Sequence, residues 1–333
     1  MEVGSAALSK GAFVISLDVE LSWGMIDKPE QLRRNTRYFE QARDCIDKLI
    51  ALFEKYNISA TWAVVGHLFL KECHVLDGQK HPDIPRSKYP WYSKDWFEEC
   101  PCTNDKDDPL WYGQDIINRI TNCKVRQEVA CHSFAHIPYG DKNTSRATVK
   151  ADLSHCISEA ERSGLQLESF IFPRNDVGYV DELNCFGFRA YRGKEPMWYK
   201  VFPKKLRKAC HIIDQLLAIC PPVCLPEYDQ GLYNIPGSMF YIPMNGFRSL
   251  IPIKSRIRKA KKGIRKAIRQ KKIFHLWFHP FNIATNQEKL LYGLEEILKE
   301  VCTERRDGEL ETKSMGEIAD LMILHHGSVI NED

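Results

Sequence analysis

The feature that most constrains this sequence of 333 residues is the alternation of short apolar runs with amphipathic helical patterns. Residues 12–17 predict a buried strand, and the next segment predicts a helix because Phe39, Ile46 and Phe53 recur on one stripe. The alternation continues, with strands predicted at 59–65, 127–131, 167–172, 188–191 and 272–278 and helices at 115–120, 147–162, 205–219 and after Asn286. Repeated β–α units predict a parallel sheet with helices outside it. A chain of this length is long enough for that sheet to close into a single barrel.

A long segment, residues 74–112, interrupts this alternation. It contains five prolines and the three tryptophans Trp91, Trp96 and Trp111. Aromatic side chains at this density rarely stay in water, so we interpret the segment as an ordered insertion, and loops of this length are often functional. We therefore expect one domain over residues 12–325 that carries this insertion and a basic helix at about 254–272.

The overall composition argues against several classes of protein. The formal net charge of +3, from 47 basic and 44 acidic side chains, does not suggest a general nucleic-acid binder. No run approaches the roughly 20 apolar residues of a membrane span. Residues 1–10 lack the charged start and the apolar run of a signal peptide. We therefore expect a cytoplasmic location.

Twelve cysteines are scattered through the chain, several of them within apolar helix or strand patterns. In a chain without a signal peptide, buried thiols are a better interpretation than disulfides. Cys100 and Cys102 form a Cys-Pro-Cys sequence that has no matching second pair. A structural zinc site at this pair is therefore the less favoured interpretation.

Polar side chains with metal-binding chemistry follow two of the predicted strands. His132 and His136 lie four residues apart after the strand at 127–131, and they can face one metal if the segment turns helically. Asp18 and Glu20 follow the first strand, where an extended backbone would point both carboxylates the same way. A metal would relieve their repulsion by binding one carboxylate and leaving the other as a base. Ordinary hydrogen-bonded loop histidines and a solvated acidic pair are the alternative interpretations.

Two further strands end in polar residues. Arg174, in Phe-Pro-Arg-Asn, could hold a carboxylate through two hydrogen bonds, although a surface arginine is the simpler interpretation. His279, in Trp-Phe-His-Pro, could act as a general acid or base because the pKa of histidine lies near neutrality; a core histidine is the alternative. His275 begins the same strand about 13 Å away, at 3.3 Å per residue, so we expect it to be structural.

The order of these motifs resembles the polysaccharide deacetylase superfamily (NodB homology, carbohydrate esterase family 4) over residues 12–325. The resemblance rests on an Asp-x-acid pair, a His-Ser-x-x-His motif, a Pro/Arg segment after a strand and a late hydrophobic-x-His. Phe-Pro-Arg-Asn and Trp-Phe-His-Pro-Phe-Asn resemble a cytoplasmic branch that is linked to surface-glycan synthesis. The resemblance implies a distorted, incomplete (β/α) barrel and a metal-dependent deacetylase that releases acetate from an N-acetylated sugar or glycan precursor.

The resemblance also implies a role for each motif residue. The metal ligands would be His132, His136 and Glu20. Asp18 would be the general base, and Arg174 would orient it. His279 would be the general acid. The family usually has two adjacent aspartates, base then ligand, whereas here the second acid is a glutamate one residue later, so the choice between Asp18 and Glu20 as third ligand stays open. The family's Arg-x-Pro-x-Gly motif is also altered, because proline precedes Arg174 here. The expected metal is Zn²⁺, with Co²⁺ or Ni²⁺ also compatible.

Substrate contacts are expected from Trp23, Asn175 and Trp277, and Trp23, Trp91, Trp96 and Trp111 could together form a sugar platform. Core packing explains these tryptophans equally well. Three other functions remain open: hydrolysis of another non-peptide amide such as a ureide or cyclic imide, a catalytically inactive glycan-binding barrel, and a non-hydrolytic metal barrel such as a sugar isomerase. The last usually needs more carboxylate ligands than this sequence offers.

The strongest charge cluster is the segment 254–272, in which apolar residues recur at helical spacing on one side. We interpret it as an outer barrel helix with its basic face in water. The alternative is attraction to anionic lipid headgroups or to a pyrophosphate-linked sugar. Nucleic-acid binding is not expected, because no nucleic-acid-binding motif accompanies the charge.

Overall fold

The structure, a computed structural model, describes residues 8–330 of the chain. Residues 1–7, most of the segment considered above for a signal peptide, lie outside the described residues. The described strands are β1 (Gly11–Val19), β2 (Thr61–Val64), β3 (Val75–Leu76), β4 (Gln79–Lys80), β5 (Glu128–Cys131), β6 (Ser169–Ile171), β7 (Ala190–Arg192), β8 (Glu227–Asp229), β9 (Leu232–Asn234), β10 (Met239–Phe240), β11 (Ile273–Phe278) and β12 (Leu310–Thr312).

The described α-helices are α1 (Pro29–Tyr56), α2 (Gln114–Thr121), α3 (Arg146–Arg162), α4 (Val180–Cys185), α5 (Lys204–Leu216), α6 (Ile253–Gln270), α7 (Pro280–Ile283), α8 (Gln287–Arg306) and α9 (Met315–Ile330). Short 3-10 helices occupy Leu21–Met25, Gly66–Phe69, Pro173–Asn175, Trp198–Val201 and Gly246–Leu250. No helix within residues 8–330 is both long enough and apolar enough to cross a membrane.

One sheet organises the molecule. Its strands lie in the order β10-β11-β1-β2-β5-β6-β7-β9-β8, and β12 pairs with the start of β1. Every pairing is parallel except that of β8 with β9. Within the described residues no ladder joins β8 to β10, so the barrel stays open at this point. The predicted distorted, incomplete (β/α) barrel is therefore confirmed.

Helix and strand signals explain most of these elements. Helix α1 begins with Pro29, whose missing N–H is no loss in a first turn, and it ends at Asn57 in the left-handed conformation that closes helices. Its buried side chains include Phe39, Ile46 and Phe53, the stripe that predicted it. The other predicted strands and helices also appear, with ends that differ by a few residues.

The inner face of the sheet is apolar at the N-terminal ends of the strands and polar at their carboxyl ends. Because side chains alternate along a strand, every second residue of β1 from Ala12 to Asp18 points to the same side. Ala12 and Val14 form an apolar cluster with Met315 and Ile318 of α9, which covers the N-terminal end of the barrel. Farther along β1 the inward residues become polar, so the polar site lies at the carboxyl ends of the strands.

The insertion at 74–112 contains only the two-residue strands β3 and β4 as regular structure between β2 and α2. It is nevertheless packed, because Trp96, Phe97 and Tyr112 are buried in the main core. Trp96 also donates a hydrogen bond from Nε1 to the backbone oxygen of Ala135, at 2.8 Å. The insertion therefore lies against the loop that carries His132 and His136.

Candidate active site

Three predicted ligands meet where β1 and β5 end. The Nε2 atoms of His132 and His136 lie 3.0 and 3.2 Å from the same atom, Oε1 of Glu20. All three side chains are almost fully buried. Two imidazoles and one carboxylate on one point are a donor set that suits zinc and similar divalent metals.

The hydrogen bonds of His132 supply a test of whether a metal fits. Its Nδ1 lies 2.7 Å from the backbone oxygen of Ile171, which can only accept, so Nδ1 carries the proton. In neutral His132 the Nε2 atom then presents a lone pair to the carboxylate of Glu20 at 3.0 Å. Two acceptors so close repel unless a cation lies between them, so the residues present fit a bound metal. A hydrogen bond from the second ring nitrogen to a carbonyl is also the usual support of a histidine ligand.

A helical turn was the condition under which His132 and His136 were expected to face one metal. The segment between them does not form that turn. Ser133 and His136 instead adopt left-handed backbone conformations, with φ of 63° and 55°. Such conformations are strained and persist only where the surroundings impose them. The resulting bend still brings the two rings to a centroid separation of 5.2 Å.

Asp152, a buried residue of α3, holds this bend in place. Its carboxylate accepts hydrogen bonds from the Ser133 hydroxyl at 3.1 Å, from the backbone N–H groups of Phe134 at 2.8 Å and Ala135 at 3.1 Å, and from the Tyr139 hydroxyl at 2.7 Å. Burial raises the pKa of Asp152 to about 6 even though these donors favour its charged form. The sequence analysis missed this residue, because an acidic side chain inside an amphipathic helix resembles any solvated one.

Asp18 is held by Arg192 and not by Arg174, which corrects the predicted role of Arg174. Nη1 and Nη2 of Arg192 each donate to one carboxylate oxygen of Asp18 at 2.7 Å. Arg174 lies in the 3-10 helix after β6, pairs with Asp27 at 2.6 Å and has its guanidinium 5.0 Å from the centre of the Trp91 ring. Arg192 ends β7, so the signal that singled out the other site residues, a polar side chain at a strand end, was present for it too.

His279 completes the group at the end of β11. Its Nε2 lies 3.3 Å from Glu20 Oε1 and 3.7 Å from Asp18 Oδ2. Its Nδ1 donates to Oδ1 of Asn282 at 3.0 Å, which fixes the ring. The side chain is 17% exposed, against 6% or less for the other members of the group, so the site opens on the His279 side.

The charges of Asp18, Glu20 and His279 favour the charged form of each of these three residues. Burial is the largest single influence on Asp18 and Glu20 and raises both pKa values. For Asp18, Arg192, His279 and His132 together outweigh burial and lower the pKa. For Glu20, the three histidines His279, His136 and His132 together do the same. Burial is the largest single influence on His279 and lowers its pKa, but the charge and hydrogen bond of Glu20 and the charge of Asp18 together outweigh it, so the pKa is raised. Both carboxylates are therefore ionised near neutrality, and His279 is more readily protonated than an ordinary histidine.

His275 lies one layer deeper on the same inward face of β11. Its Nε2 is 2.8 Å from the Ser16 hydroxyl oxygen, which also accepts a hydrogen bond from Arg192 at 2.9 Å. Burial lowers the pKa of His275 to about 3, so the ring is neutral. The residue expected to be structural thus supports the arginine that holds Asp18.

The three predicted substrate-contact residues have different surroundings. Trp23 is fully buried and packs on His67 and Trp111, so its proposed contact with substrate was wrong. The side-chain oxygen of Asn175 accepts a hydrogen bond from Arg192 at 3.0 Å. Trp277 lies beside the site, with the guanidinium carbon of Arg192 4.3 Å from its ring centre. Of the three insertion tryptophans considered as sugar platforms, Trp91 alone is exposed, whereas Trp96 and Trp111 are buried.

The basic segment 254–272 forms α6, and several of its cations are occupied within the protein. Lys259 is buried and pairs with Asp214, and Arg256 is buried and donates to backbone oxygens. Arg265 and Lys261 pair with Glu300 of α8. These contacts favour an outer barrel helix over a lipid-binding surface along the whole segment, although only part of the basic face lies in water.

Comparisons with solved structures agree with the fold. The chain is similar to two proteins that carry the assignment polysaccharide deacetylase. One, from Mycobacterium smegmatis, has 15% identity and a TM-score of 0.65, with 98% of this chain and 96% of that chain covered. The other, from Pseudomonas aeruginosa PAO1, has 10% identity and a TM-score of 0.55, with 93% and 89% covered. No family model and no curated protein matches the sequence. The fold is thus the barrel of the polysaccharide deacetylase type, as the resemblance of the motifs implied.

Proposed function

We propose that this protein is a metal-dependent hydrolase that removes the acetyl group from an N-acetylated sugar or glycan precursor. The observation that carries the proposal is the convergence of Glu20, His132 and His136 on one point, with Asp18 and His279 beside it. This arrangement offers a ligand set, a base and an acid. Those three functions are what the cleavage of an unactivated amide requires.

The residues of the chain divide the reaction between them. When bound, a divalent metal supplies a Lewis acid that polarises the acetyl carbonyl and makes water easier to deprotonate. Asp18, ionised and held by Arg192, accepts the proton of the attacking water. His279, on the open side of the site, donates a proton to the departing nitrogen. The products are acetate and a free amino sugar.

The test is acetate release by the protein loaded with Zn²⁺, Co²⁺ or Ni²⁺, with N-acetylated mono- and oligosaccharides and nucleotide sugars as substrates. We expect acetate from wild type, none from His132→Ala/His136→Ala, and none from Asp18→Asn, which keeps the metal ligands. Ammonia or a ring-opened product without acetate would support the ureide or cyclic imide alternative. Sugar binding without any product would support the inactive-barrel alternative.

We also propose that the substrate is presented at an anionic lipid surface. Two loops that follow the carboxyl ends of β7 and β10 expose large apolar side chains, and cations flank them. We call this surface the apolar–basic rim: Val201, Phe202, Leu206, Phe247 and Leu250, with Lys204, Lys205, Arg248 and Lys254. Both loops neighbour α5, because Tyr199 of the first loop contacts His211 of α5 at 2.9 Å and the charge of Arg248 in the second loop acts on the same histidine.

The position of the apolar–basic rim supports this proposal. It lies at the end of the sheet where the strand termini also carry Asp18, His132 and His279. Apolar side chains surrounded by lysine and arginine are the composition of proteins that lie on an anionic membrane surface. Only the start of α6, at Lys254, belongs to the rim, so this proposal does not include the rest of the segment 254–272, for which attraction to anionic lipid was the alternative interpretation.

A further inference from the structure

A second group of metal-binding side chains lies where the insertion meets the barrel. His67 belongs to the 3-10 helix Gly66–Phe69 after β2, Cys73 follows it, and His81 and Cys100 come from the insertion. One ligand atom from each residue lies within 4.8 Å of the other three. His67 and Cys100 are fully buried, and Cys73 is 9% exposed. We call these four residues the thiolate–imidazole cluster.

The separations within the thiolate–imidazole cluster match a tetrahedral zinc site. The Cys100 sulfur lies 3.9 Å from the Cys73 sulfur, 3.8 Å from His67 Nε2 and 3.7 Å from His81 Nε2. Bonds of about 2.3 Å to sulfur and about 2.1 Å to nitrogen at tetrahedral angles give about 3.8 Å between sulfurs and about 3.6 Å between sulfur and nitrogen. A disulfide would need about 2.05 Å.

The hydrogen bond of His67 points to the same conclusion. Its Nδ1 lies 3.1 Å from the backbone oxygen of Trp111, which can only accept, so Nδ1 carries the proton. The Nε2 lone pair is therefore directed at the cluster, as it is in a histidine ligand whose other nitrogen donates to a carbonyl. Two thiolates and two neutral imidazoles around Zn²⁺ also leave the buried group without net charge.

We infer that Cys73, Cys100, His67 and His81 form a structural Zn²⁺ site that fixes the insertion to the barrel. All four positions are occupied by protein side chains, as is typical of structural and not of catalytic zinc sites. The site supports the candidate active site from behind. His67 packs on Trp23, which lies three residues beyond Glu20, and the insertion bonds through Trp96 to the loop of His136.

The test uses cobalt absorption, which separates this site from the catalytic one. Thiolate-to-cobalt charge transfer gives strong near-ultraviolet absorption, and the candidate active site contains no sulfur ligand. With Co²⁺ exchanged into the full chain, we expect this absorption in wild type and in His132→Ala/His136→Ala, weaker absorption in Cys73→Ser and in Cys100→Ser, each of which keeps one thiolate, and its loss in Cys73→Ser/Cys100→Ser. The matched control is Cys102→Ser, whose sulfur lies 3.8 Å from that of Cys100 outside the proposed ligand set. Absorption that is undiminished in both single variants, or that survives in Cys73→Ser/Cys100→Ser, would overturn the proposal.

A second measurement needs no variant and covers the case in which the cysteine variants fail to fold. A mercurial reagent is titrated into native wild-type protein, and released zinc is followed with a chromogenic chelator. We expect one zinc to be released as Cys73 and Cys100 react, and the same release from His132→Ala/His136→Ala. Modification of both cysteines without zinc release, or a Cys73–Cys100 disulfide in protein purified without reductant, would contradict the inference. Failure of the catalytic proposal would leave these results unchanged.

Discussion

At the scale of single residues, Asp18 and Glu20 show how contacts assign different chemistry to two similar carboxylates. Both oxygens of Asp18 accept hydrogen bonds from Arg192, which leaves the carboxylate charged and fixed in orientation. Glu20 instead faces three imidazole nitrogens. Environment and not residue type separates a base from a ligand in such pairs. The choice that the sequence left open therefore falls on Glu20 as the third ligand.

Replacing Arg192 should move the acidic limb of the activity profile to higher pH. With Arg192 present, the pKa of Asp18 is below its ordinary 3.8, so the base form persists into acid. Arg192→Gln removes the guanidinium but leaves Asp18 buried, so the pKa of Asp18 rises. When the pH is lowered, Asp18 is then protonated earlier, and activity is lost at a higher pH than in wild type. The stability that the lowered pKa contributes above pH 3.8 is lost too, and breaking a buried pair costs about 3–5 kcal/mol. The measurement is kcat/KM against pH, with denaturant unfolding.

Arg174→Gln is the matched control for this prediction. Arg174 pairs with Asp27 and not with Asp18, so its loss should leave the position of the acidic limb unchanged. An equal shift of the limb in both variants would mean that Arg192 acts only through the general charge of the site.

Gly24 should be required for the position of Glu20. A Cβ at residue 24 would overlap Oε2 of Glu20, so Gly24→Ala must displace the carboxylate. We expect metal affinity to fall about 10–100-fold, the range seen when the support of a ligand is lost. The measurement is competition with a chelator. In the Glu20→Ala background the same change should have little further effect, because coupled residues are not additive. A full additional loss there would show that Gly24 acts through the backbone and not through Glu20.

The site residues that could be predicted are those that follow a recognisable strand and lie at a spacing typical of a site motif. His132, His136, Asp18 and Glu20 follow the predicted strands at 12–17 and 127–131, and the structure brings them together. Arg192 was missed and Arg174 chosen because both follow strands, and one-dimensional spacing does not tell which side chain crosses the barrel. Arg192 is the inward-facing end of β7, whereas Arg174 follows β6 with a left-handed φ of 59° and pairs with Asp27.

At the scale of elements, α3 supports the loop that carries His132 and His136. Asp152→Asn would replace one carboxylate oxygen by an amide donor. That donor would face either the N–H of Phe134 and the hydroxyl of Tyr139, or the N–H of Ala135 and the hydroxyl of Ser133, and all of these groups donate to the carboxylate. We expect a loss of about 1–3 kcal/mol in unfolding free energy, the cost of unsatisfied buried groups. Metal affinity should also fall by about 10–100-fold. The measurements are urea unfolding and metal competition.

Ser154→Ala provides the control on the same helix, because Ser154 is exposed on α3. It should change neither quantity. If Asp152→Asn lowered stability but left metal affinity intact, Asp152 would support the fold of the loop without positioning the ligands.

Elements with long periodic patterns were predicted, whereas short or unusual ones were not. Strands β8, β9, β10 and β12 have two or three residues each, too few for a readable alternation. Helix α9 was missed although it covers the end of the barrel. The thiolate–imidazole cluster was missed because its members come from a 3-10 helix, the segment after it and two separate parts of the insertion, at spacings that match no zinc motif. The pair that the sequence suggested, Cys100 and Cys102, contributes only Cys100.

At the scale of the whole molecule, three features occupy the end of the barrel where the strands terminate. They are the candidate active site, the insertion held by the thiolate–imidazole cluster, and the apolar–basic rim. The insertion lies against the loop of His136 and the rim follows β7 and β10, so they contact different parts of this end. A substrate with one end in a lipid layer and a sugar at the other would meet both the rim and the open side of His279.

The apolar–basic rim should bind vesicles that contain anionic lipid. Phe247 and Leu250 are 80% and 73% exposed, and each buried apolar side chain contributes about 1.5–3 kcal/mol. Nearby cations add about 1 kcal/mol each at an anionic surface. Phe247→Ser/Leu250→Ser should therefore lower vesicle affinity at least about 10-fold in sedimentation, since each 1.4 kcal/mol is tenfold. High salt should weaken binding of wild type, because it screens the cations.

The control for vesicle binding is Ile323→Ser/Leu324→Ser, which removes two exposed apolar residues from α9 at the opposite end of the barrel. It should bind vesicles as wild type does, and neither double variant should lose acetate release from a soluble N-acetylated sugar. If wild type binds neutral and anionic vesicles equally, the rim has no preference for anionic lipid and the proposal of an anionic surface fails. If the α9 variant loses binding as the rim variant does, the rim is not the lipid-binding surface. A rim variant that turns over soluble sugar normally but fails on a lipid-linked one would show that the barrel receives its substrate from a membrane, because only the presentation of the sugar differs between the two assays.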